Sequence, residues 1–329
     1  MESPEDESGG MKSWRPLPQD FVVVFLSIVF AGFSFAFPDT GLSPFASLAR
    51  GTFMGLLFLA IAILALLLPF LKPEAPALFR FFRTFYPQLL LPLFFEESII
   101  LSAEVMRGLA FDGLIARIDK TLFGFQPSRR FHESLAGIPA INELMFGAYF
   151  LYYVLFAVTP WIPWLLGRRE TAEREIFVYV SMMTIIFIWY LFFRVEGPKY
   201  WFNDLRSVGY GEFSGGIFVD FFQNVFRNTR LDGAAFPSTH VAFSLLMTIF
   251  AFRQSRRFLW LYVPAFILIA CATVYIYAHY FTDILGGMAV TLLLEPFLWR
   301  LYPRLARRLG GGMANHLSAS GDATRGGGP

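Results

Sequence analysis

Two histidines in this chain have the surroundings of a reacting pair. His240 ends the sequence FPSTH (236–240), and His279 opens the sequence HYFTD (279–283). Each begins a strongly apolar stretch, and two stretches of membrane length separate them. A helical hairpin made of those stretches returns its ends to one side of a bilayer. We therefore expect both imidazoles at one membrane face.

The residue types around these histidines are those of phosphoryl transfer. His279 and Asp283 are four residues apart, so on a helix they share a face, and the carboxylate can fix the tautomer of the imidazole and raise its basicity. His240 follows Pro237 and Ser238, which are typical of a helix start, where free backbone N–H groups attract phosphate. An oriented nucleophile and a nearby acid are what a phosphohistidine mechanism requires. No metal is needed, although these residue types also allow a metal site.

Two residues near this site have alternative interpretations. Lys199 lies in the strip GPKY (197–200), which we expect on the same membrane face, where its ammonium can hold phosphate oxygens. The same lysine can instead only snorkel to the interface. We interpret Ser238 as a helix cap rather than a nucleophile.

Composition indicates that membrane-spanning helices position these residues. Hydrophobic residues make up 56% of the 329 residues, and 41 are Phe, so we predict an all-α polytopic membrane bundle and no nucleic-acid partner. About eight apolar runs lie near the roughly 20 residues that cross a bilayer. The predicted spans are Phe21–Phe37, Phe53–Leu71, Phe85–Ala103, Leu144–Leu166, Ile176–Phe193, Phe236–Phe252, Phe258–Tyr277 and Tyr280–Leu301.

The spans divide the chain into four parts. Residues 1–20 are polar and expected to be disordered, and residues 21–71 form a leading transmembrane hairpin. The catalytic core is expected over residues 85–302. Residues 311–329 are rich in Gly, Ser and Ala, so we expect a disordered tail.

Charge distribution predicts the orientation. With a cytoplasmic amino terminus, the short loops on that side are strongly basic, whereas the opposite short connections carry only Arg50. Both termini are then cytoplasmic, and both histidines face the outer (periplasmic, lumenal or extracellular) side. The cytoplasmic set is Lys72, Arg80, Arg83, Arg168, Arg169, Arg174, Arg253, Arg256, Arg257, Arg300, Arg304, Arg307 and Arg308.

The two long connections, about 104–143 and 194–235, fall on the outer side in this topology. They carry ten basic residues, which can face a ligand, and the segment 111–127 is expected to form short interfacial helices. The ten are Arg107, Arg117, Lys120, Arg129, Arg130, Arg194, Lys199, Arg206, Arg227 and Arg230.

The sequence also predicts the environments of four other ionisable residues. Glu96 and Glu97 lie within the third span, where a carboxylate is costly, so at least one should face protein or water, either lining a substrate cleft or pairing with a neighbouring span. His132 and His316 are expected to be solvated or interfacial.

Four short sequences resemble a known family. They are FPSTHVA (236–242), GPKYWF (197–202), AYFLYY (148–153) and FGFQPS (123–128). Together with HYFTD they resemble the type 2 phosphatidic acid phosphatase superfamily, whose second motif is Pro-Ser-Gly-His and whose third ends in His-x-x-x-Asp. They look closest to the branch that contains inositol phosphorylceramide synthases. The resemblance covers about residues 119–287.

The resemblance implies a six-helix phosphatase-type core and a role for each matching residue. His279 would be the nucleophile, Asp283 its orienting partner and His240 the general acid. Lys199, with Ser238 and Thr239, would bind the substrate. The substrate would be a phospholipid or sphingolipid, the acceptor water or an alcohol such as inositol, and no cofactor would be required.

The chain departs from the superfamily pattern at its third motif. Ala272 and Thr273 stand where the motif begins Ser-Arg, and Tyr277 replaces an arginine that branch members often carry. Thr239 also replaces the Gly of the second motif. The positive charge would then come from Arg194, Arg227 or Arg230. The alternative is a catalytically weak or inactive membrane protein of the same fold, such as a transporter or lipid-binding remnant.

Overall fold

The computed structural model of the protein describes residues 16–37, 43–70, 76–208, 213–228 and 232–322. These residues form α-helices, and no β-strand occurs among them, which confirms the all-α prediction. The helices are α1 (Pro18–Ala36), α2 (Pro44–Leu67), α3 (Ala77–Met106), α4 (Asp112–Phe123), α5 (Pro127–Leu135), α6 (Pro139–Val158), α7 (Ile162–Leu165), α8 (Arg169–Phe192), α9 (Pro198–Trp201), α10 (Asn203–Val208), α11 (Ile217–Asn228), α12 (Thr239–Gln254), α13 (Leu259–Tyr275) and α14 (Phe281–Asp322).

Each of the eight predicted spans coincides with a long helix, and six helical segments are long and apolar enough to cross a membrane. The protein is therefore an integral, multi-pass membrane protein. α3 falls outside the six because it carries two glutamates within its apolar run, and α12 because it has only 16 residues. The six segments are Pro18–Ala36, Phe45–Phe70, Pro139–Leu165, Arg169–Phe192, Arg256–Tyr275 and Phe281–Leu309.

α8 is the central helix of the bundle. Protein buries 78% of its apolar window, against 22% for α2, and α8 packs on α1, α3, α12 and α14. A helix that is apolar all round requires such a central position. α2 packs mainly on α1 and leaves Phe45, Phe53 and Leu64 exposed on its outer surface, as expected for a helix at the lipid boundary.

Two ion pairs hold the leading hairpin to α3. The Arg50 guanidinium lies 2.6 Å from the Glu97 carboxylate, which also accepts a 3.0 Å hydrogen bond from the Ser34 hydroxyl. Of the two interpretations of the glutamate pair, the structure thus shows pairing with neighbouring spans for Glu97, while Glu96 is exposed. Asp20 pairs with Arg83 near the amino-terminal ends of α1 and α3.

The described part of the chain begins at residue 16 and ends at residue 322. α1 begins at Pro18, where the Asp20 carboxylate accepts from the Leu17 N–H at 2.7 Å and pairs with Arg83. Residues 1–15 lie outside the described part. α14 continues to Asp322, into the Gly-rich segment for which the sequence predicts disorder, and residues 323–329 again lie outside.

The long connections contain short helices that gather at one end of the bundle. α4 and α5 occupy the first connection, where interfacial helices are expected, and α9, α10 and α11 occupy the second. α4 packs on α14, and α11 packs on α6. This is the end at which α12 and α14 begin and α3 and α8 finish, so both histidines lie there.

Candidate active site

The structure brings the two histidines into direct contact. His240 is the second residue of α12, and His279 lies in the turn between α13 and α14. The Nε2 atom of His279 is 3.3 Å from the Nδ1 atom of His240. The hairpin of α12 and α13 therefore places the rings at one end of the bundle, as the sequence layout predicts.

Two acceptors orient the imidazole of His279. Its Nδ1 atom is 2.9 Å from the carbonyl oxygen of Ala235 and 3.3 Å from Oδ2 of Asp283. A backbone carbonyl only accepts hydrogen bonds, so Nδ1 must carry the proton and Nε2 must present its lone pair to His240. Burial also lowers the pKa of His279 to about 4, so the ring is neutral at physiological pH.

Asp283 is itself held by backbone groups. Its carboxylate is fully buried and accepts a 2.8 Å hydrogen bond from the Tyr280 N–H. Its carbonyl oxygen accepts from the Ser238 N–H at 3.1 Å, which ties the start of α12 to the first turn of α14. The Ser238 hydroxyl accepts from the Val241 N–H at 3.4 Å, so Ser238 is the N-cap of α12.

Two glycines allow the backbone segments around the histidines to approach closely. A Cβ atom on Gly287 would lie 2.6 Å from the Ser238 carbonyl oxygen, so α14 can lie against the start of α12 only without a side chain there. Gly197 has φ of +92°, and a Cβ atom there would lie 2.7 Å from the Ala278 carbonyl oxygen. The strip that contains Lys199 thus passes directly beside the turn that contains His279.

A buried carboxylate of α4 holds the first turn of α14. Asp119 accepts hydrogen bonds from the N–H groups of Phe281 and Thr282, both at 2.9 Å, and from the Thr282 hydroxyl at 2.6 Å. The Gln126 amide donates to it at 3.1 Å. The first N–H groups of a helix lack partners within it, so Asp119 caps α14 from another helix and fixes the residues that follow His279.

A second carboxylate of α4 holds the strip that contains Lys199 by accepting hydrogen bonds from its backbone. Asp112 accepts from the N–H groups of Glu196 and Gly197 at 2.8 and 2.9 Å and from the Tyr280 hydroxyl at 3.0 Å. Burial raises its pKa, although these donors act in the opposite direction. Asp112 and Asp119 are not among the site residues predicted from the sequence. They are seven residues apart, or two helical turns, so the sequence indicates that they share one face of a helix.

Three tyrosines of α6 surround the second histidine. The ring of Tyr149 stacks on His240 with centroids 4.5 Å apart, and the ring of Tyr152 lies at 4.4 Å. The Tyr153 hydroxyl is 3.4 Å from Nε2 of His240. These residues belong to the AYFLYY sequence, and their i, i+3 and i+4 spacing put them on one helix face, but no role was predicted for them.

A small cavity lies beside the histidine pair. Its volume is about 60 Å³, room for about two water molecules. Both histidines and Thr239 line it. The remaining lining residues are Phe95, Tyr149, Tyr153, Glu196, Tyr200, Phe226, Ala234, Ala235 and Ala278.

Lys199 lies close to two residues that line this cavity. Its ammonium nitrogen is 5.2 Å from the ring centroid of Phe226 and 5.6 Å from that of Tyr200, and both rings line the cavity. Its backbone N–H donates to the Tyr277 carbonyl oxygen at 3.1 Å. Burial lowers the pKa of Lys199 to about 7, so its charge changes near physiological pH.

Of the three arginines that could replace the missing motif arginine, the structure describes Arg194 and Arg227. Arg194 is buried, lies 2.8 Å from the Asp232 carboxylate and donates to the Ser102 hydroxyl at 3.0 Å, so its charge is compensated away from the histidines. Arg227 is exposed in the last turn of α11. Arg230 lies outside the described residues.

Tyr277, at the position of that arginine, packs instead against His132. Their ring centroids are 4.7 Å apart, and Phe213 and Tyr275 complete the cluster. His132 is buried rather than solvated, because α5 packs on α13 and covers the ring. The side chain of His316 lies outside the described part of the chain.

A metal site would use the two histidines and Asp283. Among the described residues, no group of three or more His, Cys, Asp or Glu side chains is arranged to hold a metal ion. The contact between the two rings and the carbonyl acceptor at Ala235 give the nitrogens of His279 hydrogen-bonding partners.

Fold and site together define a polytopic membrane protein with a pair of contacting histidines at one end of its bundle. The chain belongs to the PAP2 superfamily, whose family model matches residues 114–295, more than half of the chain. Superfamily members are phosphatases, which supports an enzyme of phosphoester chemistry. No match was found among curated proteins or solved structures.

We expect Asp119→Asn to destabilise the protein. An asparagine keeps the shape but offers one acceptor oxygen to four donors, so at least two donors lose their partner at about 1–3 kcal/mol each. The free energy of unfolding, measured by denaturant titration in detergent, should fall by about 2–4 kcal/mol. Glu133→Gln, an exposed change on α5, is the control and should alter it by less than about 0.5 kcal/mol. Equal stability of the two variants would contradict the capping role.

Proposed function

We propose that the protein is a metal-independent lipid phosphatase or headgroup phosphotransferase that works through a phosphohistidine at His279. The observation that carries this proposal is the geometry of the pair. Nε2 of a neutral, oriented His279 faces Nδ1 of His240 at 3.3 Å beside a cavity. The substrate class, a phospholipid or sphingolipid with its headgroup at this end of the bundle, follows from the family and the membrane setting.

In the first step, the lone pair on Nε2 of His279 attacks the phosphorus. The bond between phosphorus and the leaving lipid oxygen breaks, and that oxygen takes the proton from Nδ1 of His240. His240 carries a proton there because the lone pair of His279 is its acceptor in the resting pair. The negative charge of the bound phosphate favours a second proton on its Nε2 atom, so the ring enters the step as the imidazolium and is neutral after the transfer. The proton on Nδ1 of His279 stays between Ala235 and Asp283 and disperses the positive charge that develops on the ring.

In the second step, His240 acts as the base. It takes a proton from water or from an alcohol, the resulting oxygen attacks the phosphorus, and the bond between phosphorus and Nε2 breaks. His279 recovers its lone pair. The two outcomes, hydrolysis and transfer, differ only in which hydroxyl occupies the cavity.

The resting site has to open before either step. A phosphorus atom and its leaving oxygen do not fit between nitrogens 3.3 Å apart, and a 60 Å³ cavity is smaller than a lipid headgroup. We therefore expect the rings of His240 and His279 to move apart when the substrate enters. Lys199 then provides the positive charge for the phosphate oxygens.

Loss of either histidine should lower the rate of phosphate release strongly. The size of the loss should depend on the leaving group for His240 only. We expect His279→Ala to lower the rate of phosphate release from short-chain phosphatidic acid by at least about 10⁴-fold. We expect His240→Ala to lower it by about 10²–10⁴-fold and to recover much of the loss with p-nitrophenyl phosphate, because that leaving group needs no proton. The assay contains EDTA and purified protein in detergent.

His132→Phe is the matched control, since it removes a histidine outside the pair and keeps an aromatic ring in its cluster. It should retain wild-type turnover. Equal phosphate release by wild type and both alanine variants would overturn the proposal, and no release by wild type would favour the inactive remnant. Loss of activity in EDTA would contradict the metal-independent mechanism.

The pH dependence of kcat/KM should show two limbs, because it reports the ionisations of the free enzyme. Below about pH 4 the His279 ring becomes protonated and loses its lone pair. Above about pH 7 the ammonium of Lys199 loses its proton and its attraction for phosphate. Lys199→Arg keeps the charge at all of these pH values, so its alkaline limb should move upward by more than one pH unit.

Wild type and Lys199→Arg are compared on the same substrate. The substrate's own ionisation then affects both pH profiles equally and cannot cause a difference between them. An alkaline limb at the same pH in both proteins would assign that limb to another group. Lys199→Met should have a low kcat/KM across the whole range and no limb near pH 7.

We further propose that the histidine end faces the outer side of the membrane, with both termini cytoplasmic. The sequence has one cysteine, Cys271, so Cys271→Ala gives a background for labelling. Ser214→Cys, on an exposed position of the second long connection, should react with a membrane-impermeant maleimide in intact cells. Arg257→Cys, between α12 and α13, should react only after permeabilisation, and the reverse pattern would contradict the orientation.

Hydrolysis and transfer can be separated with one labelled substrate. Lipid labelled in its phosphate is supplied with and without an added alcohol such as inositol. Release of inorganic phosphate that the alcohol does not change identifies a phosphatase. A new labelled ester at the expense of phosphate identifies a transferase.

A further inference from the structure

A second, larger pocket lies at the same end of the bundle, outside the histidine site. Its volume is about 340 Å³, within the range of small-ligand sites. Its polar lining is mainly cationic. The residues that define this basic pocket are Arg117, Lys120, Gln126 and Arg129, with the rings of Phe125 and Phe202.

The charges of the basic pocket are only partly compensated. Arg129 lies 2.6 Å from the Asp204 carboxylate and 4.5 Å from the ring centroid of Phe202. Within the described part of the chain, neither Arg117 nor Lys120 forms an ion pair with a carboxylate, and both side chains are exposed. The pocket therefore has a net positive charge, which attracts an anion.

The helix that carries these charges has three distinct faces. Asp112, Ile115 and Asp119 are buried against the bundle. Leu114, Ile118 and Leu122, spaced at i, i+4 and i+8, are exposed. Arg117 and Lys120 lie on the third face, toward the basic pocket. A helix with one exposed apolar stripe and one basic face is typical of the headgroup level of a membrane.

We propose that the basic pocket binds the phosphate of an anionic membrane lipid. Arg117 and Lys120 contact the phosphate, and the acyl chains descend along the apolar stripe of α4. The stripe favours a lipid over a free phosphate, because a soluble anion gains nothing from Leu114, Ile118 and Leu122. This binding does not depend on the phosphoryl transfer proposed above.

The site is joined to the histidine pair through short contacts. Lys120 follows Asp119, which holds the first turn of α14. Phe202 packs on Tyr280, the residue after His279, with ring centroids 6.3 Å apart. A lipid in the basic pocket therefore rests on the helix that positions the reacting ring.

The test counts lipids that remain bound to the purified protein. Full-length protein is placed in nanodiscs of phosphatidylcholine with a rising fraction of phosphatidylglycerol, and native mass spectrometry measures the retained phosphatidylglycerol. Arg117→Gln/Lys120→Gln should weaken retention of one molecule by roughly 30-fold, from about 1 kcal/mol for each lost charge near a membrane surface. Lys120→Gln alone should give roughly a fivefold loss.

Arg107→Gln/Arg130→Gln is the matched control, because it removes two exposed charges at the same end that do not line the pocket. It should retain phosphatidylglycerol as wild type does. Equal losses in both double variants would show a general surface-charge effect and overturn the site, as would no loss in the first. Displacement of the lipid by millimolar inorganic phosphate would overturn the assignment to a lipid.

Discussion

The hydrogen bond from Nδ1 of His279 to the Ala235 carbonyl is the interaction on which the proposed chemistry depends. A carbonyl cannot donate, so this contact leaves Nε2 unprotonated and aimed at His240. Asp283 is the more distant of the two acceptors, with its oxygen at 3.3 Å. The backbone and the carboxylate together fix the tautomer, and burial keeps the ring neutral.

This interaction requires three separate parts of the chain to pack closely against one another. The turn that contains His279, the start of α12 and the strip at Gly197 are joined by backbone hydrogen bonds and by close contacts at two glycines. Asp112 and Asp119 of α4 then hold that assembly from outside by accepting from its free N–H groups. A helix that lies outside the predicted spans thus positions the site, and the family match begins within this helix, at residue 114.

Periodicity and charge predicted much of this structure. Apolar runs located all eight long helices, and the hairpin argument located the histidine pair, because both depend on local sequence. Partners distant in the chain could not be predicted. Arg194 was one of three arginines that could supply charge to the phosphate, and its ion pair with Asp232 could not be read from the sequence. The partner of Glu97 on α2 could not be read from it either. The tyrosines of α6 were visible as a motif, but their stacking on His240 depends on how α6 packs against α12.

Identification of the phosphorylated residue tests the central claim most directly. The enzyme is mixed with phosphate-labelled lipid, quenched within milliseconds in alkali, which preserves phosphohistidine, and digested for peptide mapping. The account predicts acid-labile label on the peptide that contains His279, formed at a rate at least equal to turnover and absent from His279→Ala. Label on His240 or Ser238, or steady turnover with no labelled protein at any time, would contradict it.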